Sequence, residues 1–191
     1  MLRLIAEECT NLLLKHEAIQ EKQKAIYVYG FELIWSLILS SGSIIILGTV
    51  FGYLPLAVTF LFYFIPIRIP AGGFHAGSYR DCFLSTNLMA VGCIAVSKWL
   101  YRLPDSGYAV WGLLFLAVVY IWLKAPVVSE KHSRKTDQLA RNRKYARFLL
   151  VLDVVSLLIL KRIVNSCVVY TAVVALCAVA ILMFFFRRGG E

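Results

Sequence analysis

Long apolar runs constrain the fold of this sequence more than any other feature. Residues 31–51 form a run with a single charged side chain, Glu32. An α-helix needs about 20 mostly apolar residues to cross the ~30 Å hydrocarbon layer of a bilayer. Four further apolar runs follow at residues 83–100, 108–123, 148–160 and 167–186. Because only helices and closed barrels satisfy the backbone inside lipid, we predict an all-α, polytopic membrane protein.

A shorter apolar segment lies between the first two of these runs. Residues 53–67 are apolar, but Gly52 and Pro55 lie at the start of the segment, and Pro66 and Pro70 lie at its end. We predict a short span or a re-entrant segment here. With it the chain has about six transmembrane segments, and residues 31–191 form one membrane-embedded domain.

The first thirty residues have a different pattern. The apolar residues Ile5, Cys9, Leu12, Ile19 and Ile26 recur at intervals of three, four or seven, and most of the basic residues lie off this stripe. Such spacing is typical of an amphipathic helix that lies in the membrane interface, which we assign to residues 1–30. A helix packed on a partner subunit would have the same pattern, so both interpretations stay open.

Composition and charge agree with a membrane protein. Of the 191 residues, 60% are hydrophobic and 16% are charged, whereas soluble domains are about half apolar and a quarter charged. A net charge of +9 would suggest nucleic acid binding in a soluble protein. Here the basic residues flank apolar runs, so membrane topology explains them and no nucleic acid partner is expected.

The distribution of basic residues predicts the orientation. Residues 124–147 contain eight of the twenty Lys and Arg residues, and loops rich in these residues stay in the cytoplasm. Six spans then place both termini on the cytoplasmic face of the membrane. The segment between the second and third spans lies on the same face.

That segment, residues 68–82, is the least membrane-like part of the interior and contains His75 and Cys82. A thiolate is the reactive form of cysteine, and an imidazole can take its proton near neutral pH. On one straight helix the two would lie ~10.5 Å apart along the axis, too far for proton transfer. Glycines between them predict that His75 lies on a loop and Cys82 at the N-terminal end of a helix beginning at Phe83. The helix dipole favours a thiolate there.

Other interpretations of these residues are weaker. Cys93, Cys167 and Cys177 lie within apolar runs and are expected to pack as small hydrophobic side chains. The five cysteines include no CxxC pair, and the three histidines are scattered. Ligand spacing for a metal site is therefore missing, and neither a metal nor another cofactor is expected.

The motif around these residues resembles the AgrB family. It runs Arg68-x-x-x-Gly72-Gly73-x-His75-Ala76 and, after five further residues, reaches Cys82. Tyr29-Gly30-Phe31-Glu32 precedes the motif, and Lys124-Ala125-Pro126 follows it. Members of this family are membrane endopeptidases of Gram-positive quorum sensing. They cut the C-terminal tail from a small AgrD-like propeptide and close its middle into a thiolactone or lactone ring.

The resemblance implies roles for particular residues. His75 and Cys82 would be the catalytic pair, and Arg68, Gly72 and Gly73 would be supporting residues of the same motif. The resemblance is also compatible with a homodimer. From its charge alone, the basic loop at 124–147 is expected to attract an acidic peptide tail; the residues assigned to this weaker substrate-binding role are Lys131, Arg141, Arg143 and Lys144.

The resulting hypothesis is a cysteine endopeptidase that forms a thioester with its substrate. A third, orienting residue is not evident, although Glu32 and Asp153 are candidates; Asp153 could instead make a polar contact between spans. The first alternative is a transporter of small solutes or peptides without covalent chemistry. A protein acyltransferase would need a Cys- and His-rich zinc framework that is missing, and a structural scaffold would need neither His75 nor Cys82.

Overall fold

The computed structural model describes residues 2–71, 79–104, 106–127, 136–164 and 166–188. Within these ranges the chain forms seven α-helices and one short 3-10 helix, with no β-strand. The helices are α1 (Leu2–Lys15), α2 (Lys24–Val50), α3 (Leu54–Ala71), α4 (Tyr79–Arg102), α5 (Ser106–Lys124), α6 (Thr136–Ile163) and α7 (Ser166–Arg188). The prediction of an all-α protein is confirmed.

Five segments of the described chain are long and apolar enough to cross a membrane. They are Glu21–Val50, Leu54–Ala71, Asp81–Arg102, Ser106–Lys124 and Cys167–Phe185. The sixth predicted segment, residues 148–160, lies in the second half of α6, whose first half carries a group of basic residues. The polytopic fold is therefore confirmed, and α6 is a long helix that is apolar only beyond Arg147.

The N-terminal thirty residues do not form one helix. Helix α1 ends at Lys15, and Glu17 adopts a left-handed backbone conformation with φ of 53°. Helix α2 then begins at Lys24, seven residues before the predicted start of the first span at residue 31. Ala6 and Thr10 of α1 are fully buried, and α1 packs against α2. The opposite side of α1 exposes three large apolar side chains, Leu4, Ile5 and Leu12.

The segment predicted as short or re-entrant is a regular helix. Helix α3 continues through Pro66 and Pro70 as far as Ala71, four residues beyond the end of the apolar run. Its 18 residues correspond to about 27 Å at 1.5 Å per residue, which is enough to cross most of the hydrocarbon layer. Proline inside a membrane helix is tolerated because neighbouring helices satisfy the backbone groups it frees.

The core of the bundle is built around α7 and α3. Helix α7 packs against α3, α4 and α5, and its buried positions include the small residues Ala172, Ala175 and Ala178. Small side chains let helices approach closely inside a membrane. Helix α3 contributes large side chains, with Phe60 and Phe64 stacked at 4.7 Å between ring centroids. This packing fixes the C-terminal end of α3 next to the N-terminal end of α4.

Candidate functional site

Cys82 lies in the first turn of α4. The helix begins at Tyr79, four residues before the expected start at Phe83, so the predicted position of Cys82 at a helix N-terminus is reproduced. Its side chain is partly exposed and its thiol is free. The first turn of a helix carries unpaired N–H groups and the positive end of the dipole. The predicted partner His75 lies outside the described residues, as do Gly72 and Gly73.

Arg68, in the last turn of α3, faces this turn of α4. Its Nη1 donates a hydrogen bond of 3.0 Å to Thr86 Oγ1, and Thr86 Oγ1 in turn donates to the Cys82 carbonyl at 2.8 Å. The guanidinium also interacts electrostatically with the Cys82 side chain. Its central carbon sits 5.2 Å from the Phe64 ring centroid. Arg68 is thereby held between an aromatic face and the cysteine.

This arrangement brings together Arg68 and Cys82, which are fourteen positions apart in the sequence. A guanidinium keeps its charge under all ordinary conditions, and a neighbouring cation favours the thiolate form of a cysteine. The contacts of Arg68 therefore suit a nucleophilic Cys82. Thr86 could not be identified from the sequence, because a threonine one turn after a cysteine in an apolar run carries no distinguishing signal.

The connection after α5 reaches the same end of the bundle. The Val127 N–H donates a 2.8 Å hydrogen bond to the carbonyl of Ala71. Ala71 is the residue immediately before residues 72–78, which contain His75, and Val127 comes immediately before residues 128–135, which contain Lys131. The glycine-rich segment at residues 72–78 and residues 128–135 of the basic loop thus directly follow two residues that are hydrogen-bonded to each other. Lys131 itself lies outside the described residues.

Two arginines of α6 bind the C-terminal end of α5. Arg143 Nε donates to the Ala125 carbonyl at 3.4 Å, and Arg147 Nη2 donates to the Trp122 carbonyl at 3.5 Å. Arg147 also lies 5.0 Å from the Trp122 ring centroid. Carbonyls in the last turn of a helix have no intrahelical partner, and cations are favourable there. Arg143 therefore has a structural contact in addition to its expected role toward a substrate.

The remaining two basic residues expected to bind substrate lie on the outside of α6. Arg141 and Lys144 are both exposed, near the start of α6 and close in sequence to the Arg143 contact. Exposed cations at this end of the bundle contribute to a positive surface on the side of Cys82. The described part of the predicted basic loop therefore contains two arginines that contact the end of α5, Arg143 and Arg147, and two exposed basic residues, Arg141 and Lys144.

Asp153, a candidate for the third residue, lies deeper in the bundle. It is buried on α6, where Ser156 Oγ donates to the Asp153 carbonyl at 2.9 Å and pairs with Tyr63 OH at 2.9 Å. Tyr63 precedes Arg68 by five residues, about 7.5 Å along the α3 axis. The polar contact between α3 and α6 is therefore made by Tyr63 and Ser156, and Asp153 takes part only through its backbone carbonyl. Glu32 lines a polar cleft between α1 and the start of α2.

Three other cysteines lie within the helices, away from the first turn of α4. Cys93 is buried in the middle of α4. Cys177 is on α7, where its thiol lies 3.7 Å from the Leu113 carbonyl, and Cys167 is in the first turn of α7. Cys93 is buried as expected, whereas Cys177 is only partly buried and Cys167 lies at the start of α7 rather than in the middle of a span.

Comparison with known proteins gives a match to a protein family. A family model described as "AgrB: Accessory gene regulator B" matches residues 6–186. The matched range includes both sides of the Cys82 site and the connection between α5 and α6. No curated protein and no solved structure gives a significant match.

Proposed function

The chain belongs to the AgrB family, and we propose that it is a membrane cysteine endopeptidase that processes an AgrD-like quorum-sensing propeptide. Family membership supports a role in autoinducing-peptide processing. The observation that carries the proposed chemistry is the contact of Arg68 and Thr86 with Cys82 in the first turn of α4.

The first step cleaves the propeptide. His75 takes the proton of the Cys82 thiol, and Cys82 Sγ attacks the carbonyl carbon of the bond before the tail. A carbon–sulfur bond forms and the carbon–nitrogen bond breaks. The imidazolium returns its proton to the leaving amine, which departs with the C-terminal tail. The remainder of the peptide stays on Cys82 as a thioester.

The second step closes the ring. A Cys thiol or Ser hydroxyl of the bound peptide attacks the thioester carbonyl and gives its proton to His75. The new thioester or ester closes a thiolactone or lactone, and Cys82 leaves as a thiolate. Retaining the acyl group as a thioester preserves much of the activation for ring closure, provided that water is kept from the site.

Arg68 serves both steps as a positioning and electrostatic residue. Cys82 is a thiolate when it attacks and again when it leaves, and the adjacent guanidinium stabilises that charge. Thr86 holds the guanidinium in place through its 3.0 Å hydrogen bond. Desolvation at the boundary of the bundle strengthens the attraction relative to water.

The basic loop recruits the acidic tail. The hydrogen bond between Val127 and Ala71 supports this assignment. It joins a residue of the basic loop to the residue that precedes the segment containing His75. Lys131, Arg141 and Lys144 supply attraction toward the tail, while Arg143 contributes charge and holds α5. Attraction of this kind increases the rate of encounter and falls with ionic strength.

Replacing the proposed nucleophile tests this function. Cys82→Ala should abolish propeptide cleavage in proteoliposomes, and His75→Ala should reduce it strongly, with partial recovery at high pH as free thiol ionises. Cys93→Ala and Cys177→Ala are matched controls that should leave cleavage intact apart from packing costs. Normal cleavage by a Cys82→Ala protein that inserts and folds as wild type would rule the mechanism out and favour the transporter alternative.

A further inference from the structure

A groove between α2 and α4 opens on the surface of the bundle. Its cavity volume is about 320 Å³. Apolar side chains form its walls, with Ile44, Leu47 and Phe51 on one side and Val91 and Ile94 on the other. Both helices are long and apolar enough to cross the membrane, so in a bilayer this groove faces the acyl chains of the lipid.

A lysine stands at one end of the groove. Lys98 lines it, lies 3.7 Å from the ring centroid of Tyr53 and donates a hydrogen bond to the Tyr53 hydroxyl. An ammonium group carries three N–H donors, so Lys98 can also donate to an oxygen of a ligand. Lys98 follows Cys82 by sixteen residues, about 24 Å along the α4 axis. The lysine end of the groove is therefore at the opposite end of α4 from the proposed catalytic site, and the groove runs along α4 from Asn87 to Lys98.

We propose that this groove binds one anionic phospholipid, with an acyl chain between α2 and α4 and the headgroup phosphate on Lys98. Water would find few polar partners on these walls, and an acyl chain restores the dispersion contacts that an open cavity lacks. Apolar contact alone does not select a ligand within a membrane, because the surrounding lipid is equally apolar. The cation at the rim supplies the selectivity for a negatively charged headgroup.

Charge complementarity favours a lipid over a second copy of this chain. An apolar helix inserted into the groove would bring no negative charge to Lys98 and would cover its ammonium with apolar surface, which is costly. A phospholipid places its phosphate at the membrane surface and its chain below, in the same order as Lys98 and the groove. This inference does not depend on the proposed peptidase activity.

The chain offers a matched control in Lys161. Its ammonium lies 4.4 Å from the Trp111 ring centroid, so it makes the same kind of contact near the C-terminal end of α6. Lys161 does not line the groove. A general attraction of anionic lipid to surface lysines would therefore affect Lys98 and Lys161 alike, whereas a built site would depend on Lys98 alone.

Native mass spectrometry of the full-length protein tests the proposal, with phosphatidylglycerol or phosphatidylcholine added at equal concentration. The wild type and Lys161→Gln should retain one phosphatidylglycerol in preference to phosphatidylcholine. Lys98→Gln should reduce that preference at least severalfold, and Ala95→Phe, which fills the groove from α4, should reduce binding of both lipids. Helix content and thermal unfolding of each variant show that it is folded.

Two results would overturn the proposal. Equal retention of phosphatidylglycerol by Lys98→Gln and Lys161→Gln would show that the lysine is not part of a site. Unchanged lipid binding, combined with a shift from dimer to monomer in Ala95→Phe, would show that a second copy of the chain occupies the groove.

Discussion

At the residue scale, the contact of Arg68 with Cys82 predicts a specific effect on thiol reactivity. In a background lacking the other four cysteines, Arg68→Gln should slow alkylation of Cys82 by iodoacetamide severalfold near neutral pH, because a neighbouring cation favours the reactive thiolate. Arg68→Lys keeps the positive charge but loses the planar guanidinium with its several N–H donors, and it should retain part of the alkylation rate.

Thr86→Val is the control for geometry. It removes the 3.0 Å hydrogen bond to Arg68 while keeping both the guanidinium and the shape of the side chain. A moderate loss of rate is expected, smaller than that of Arg68→Gln. Equal alkylation rates for Arg68→Gln and wild type at every pH would contradict an electrostatic role for Arg68.

Residue type and spacing identified part of the site, and packing supplied the rest. Cys82 could be assigned to a helix N-terminus from the glycines before it and the apolar run after it. The contact of Arg68 with Thr86 depends on how α3 and α4 pack, and no sequence pattern encodes it. Likewise, Arg143 contacts the end of α5 whereas Arg141 and Lys144 are exposed, and this difference depends on how α6 packs against α5.

At the scale of elements, Gly48 sets how closely α2 approaches α3. A Cβ built at Gly48 would lie 2.5 Å from Ala57 Cβ, whereas one at Gly42 meets nothing within 4 Å. Gly48→Ala should therefore destabilise the fold by about 1–3 kcal/mol through overpacking. Gly42→Ala, in the same helix, should be neutral or stabilising by up to about 1 kcal/mol. Thermal unfolding in detergent, followed by helical circular dichroism, compares the two; equal stability would contradict the described packing of α2 on α3.

The start of α6 gives a prediction about substrate recruitment. The double variant Arg141→Glu and Lys144→Glu should raise the KM for the propeptide roughly fivefold at low salt, about 1 kcal/mol, with little change in kcat. Added salt should weaken recruitment by the wild type and narrow the difference, because exposed charges are screened over ~8–10 Å. Arg143→Ala should instead lower thermal stability, since it frees the Ala125 carbonyl. If the KM of the wild type did not depend on salt, these charges would only determine the orientation of the protein in the membrane.

The elements also show where sequence patterns are least informative. The prolines after residue 65 suggested an early end to the second segment, but α3 continues to Ala71. Its last turn is held by the hydrogen bonds of Arg68 with Thr86 and of Ala71 with Val127. The periodic apolar residues of the first thirty positions suggested one helix. The left-handed backbone at Glu17 divides them into α1 and the start of α2, and periodicity alone does not reveal such a break.

At the scale of the whole molecule, orientation in the membrane follows from charge rather than from packing. The positive-inside rule predicts that the start of α6 lies in the cytoplasm. A single cysteine introduced as Gln138→Cys should resist a membrane-impermeant maleimide in intact cells and react after lysis. Leu103→Cys, in the turn between α4 and α5 at the opposite end of the bundle, should react in intact cells. Ready labelling of Gln138→Cys from outside would show that the orientation is the reverse. The proposed site would then face away from the cytoplasm, where a ribosomally made substrate is produced.

The central claim is that Cys82 carries the peptide as a thioester between cleavage and ring closure. Intact-protein mass spectrometry tests it with an AgrD-like propeptide whose ring-forming Cys or Ser is replaced by Ala, so that the second step is blocked. The account predicts an adduct equal in mass to the propeptide without its tail and less one water. Hydroxylamine should remove it, and Cys82→Ala should not form it. Release of the tail at the normal rate without any adduct, or an adduct on the Cys82→Ala protein, would contradict the account.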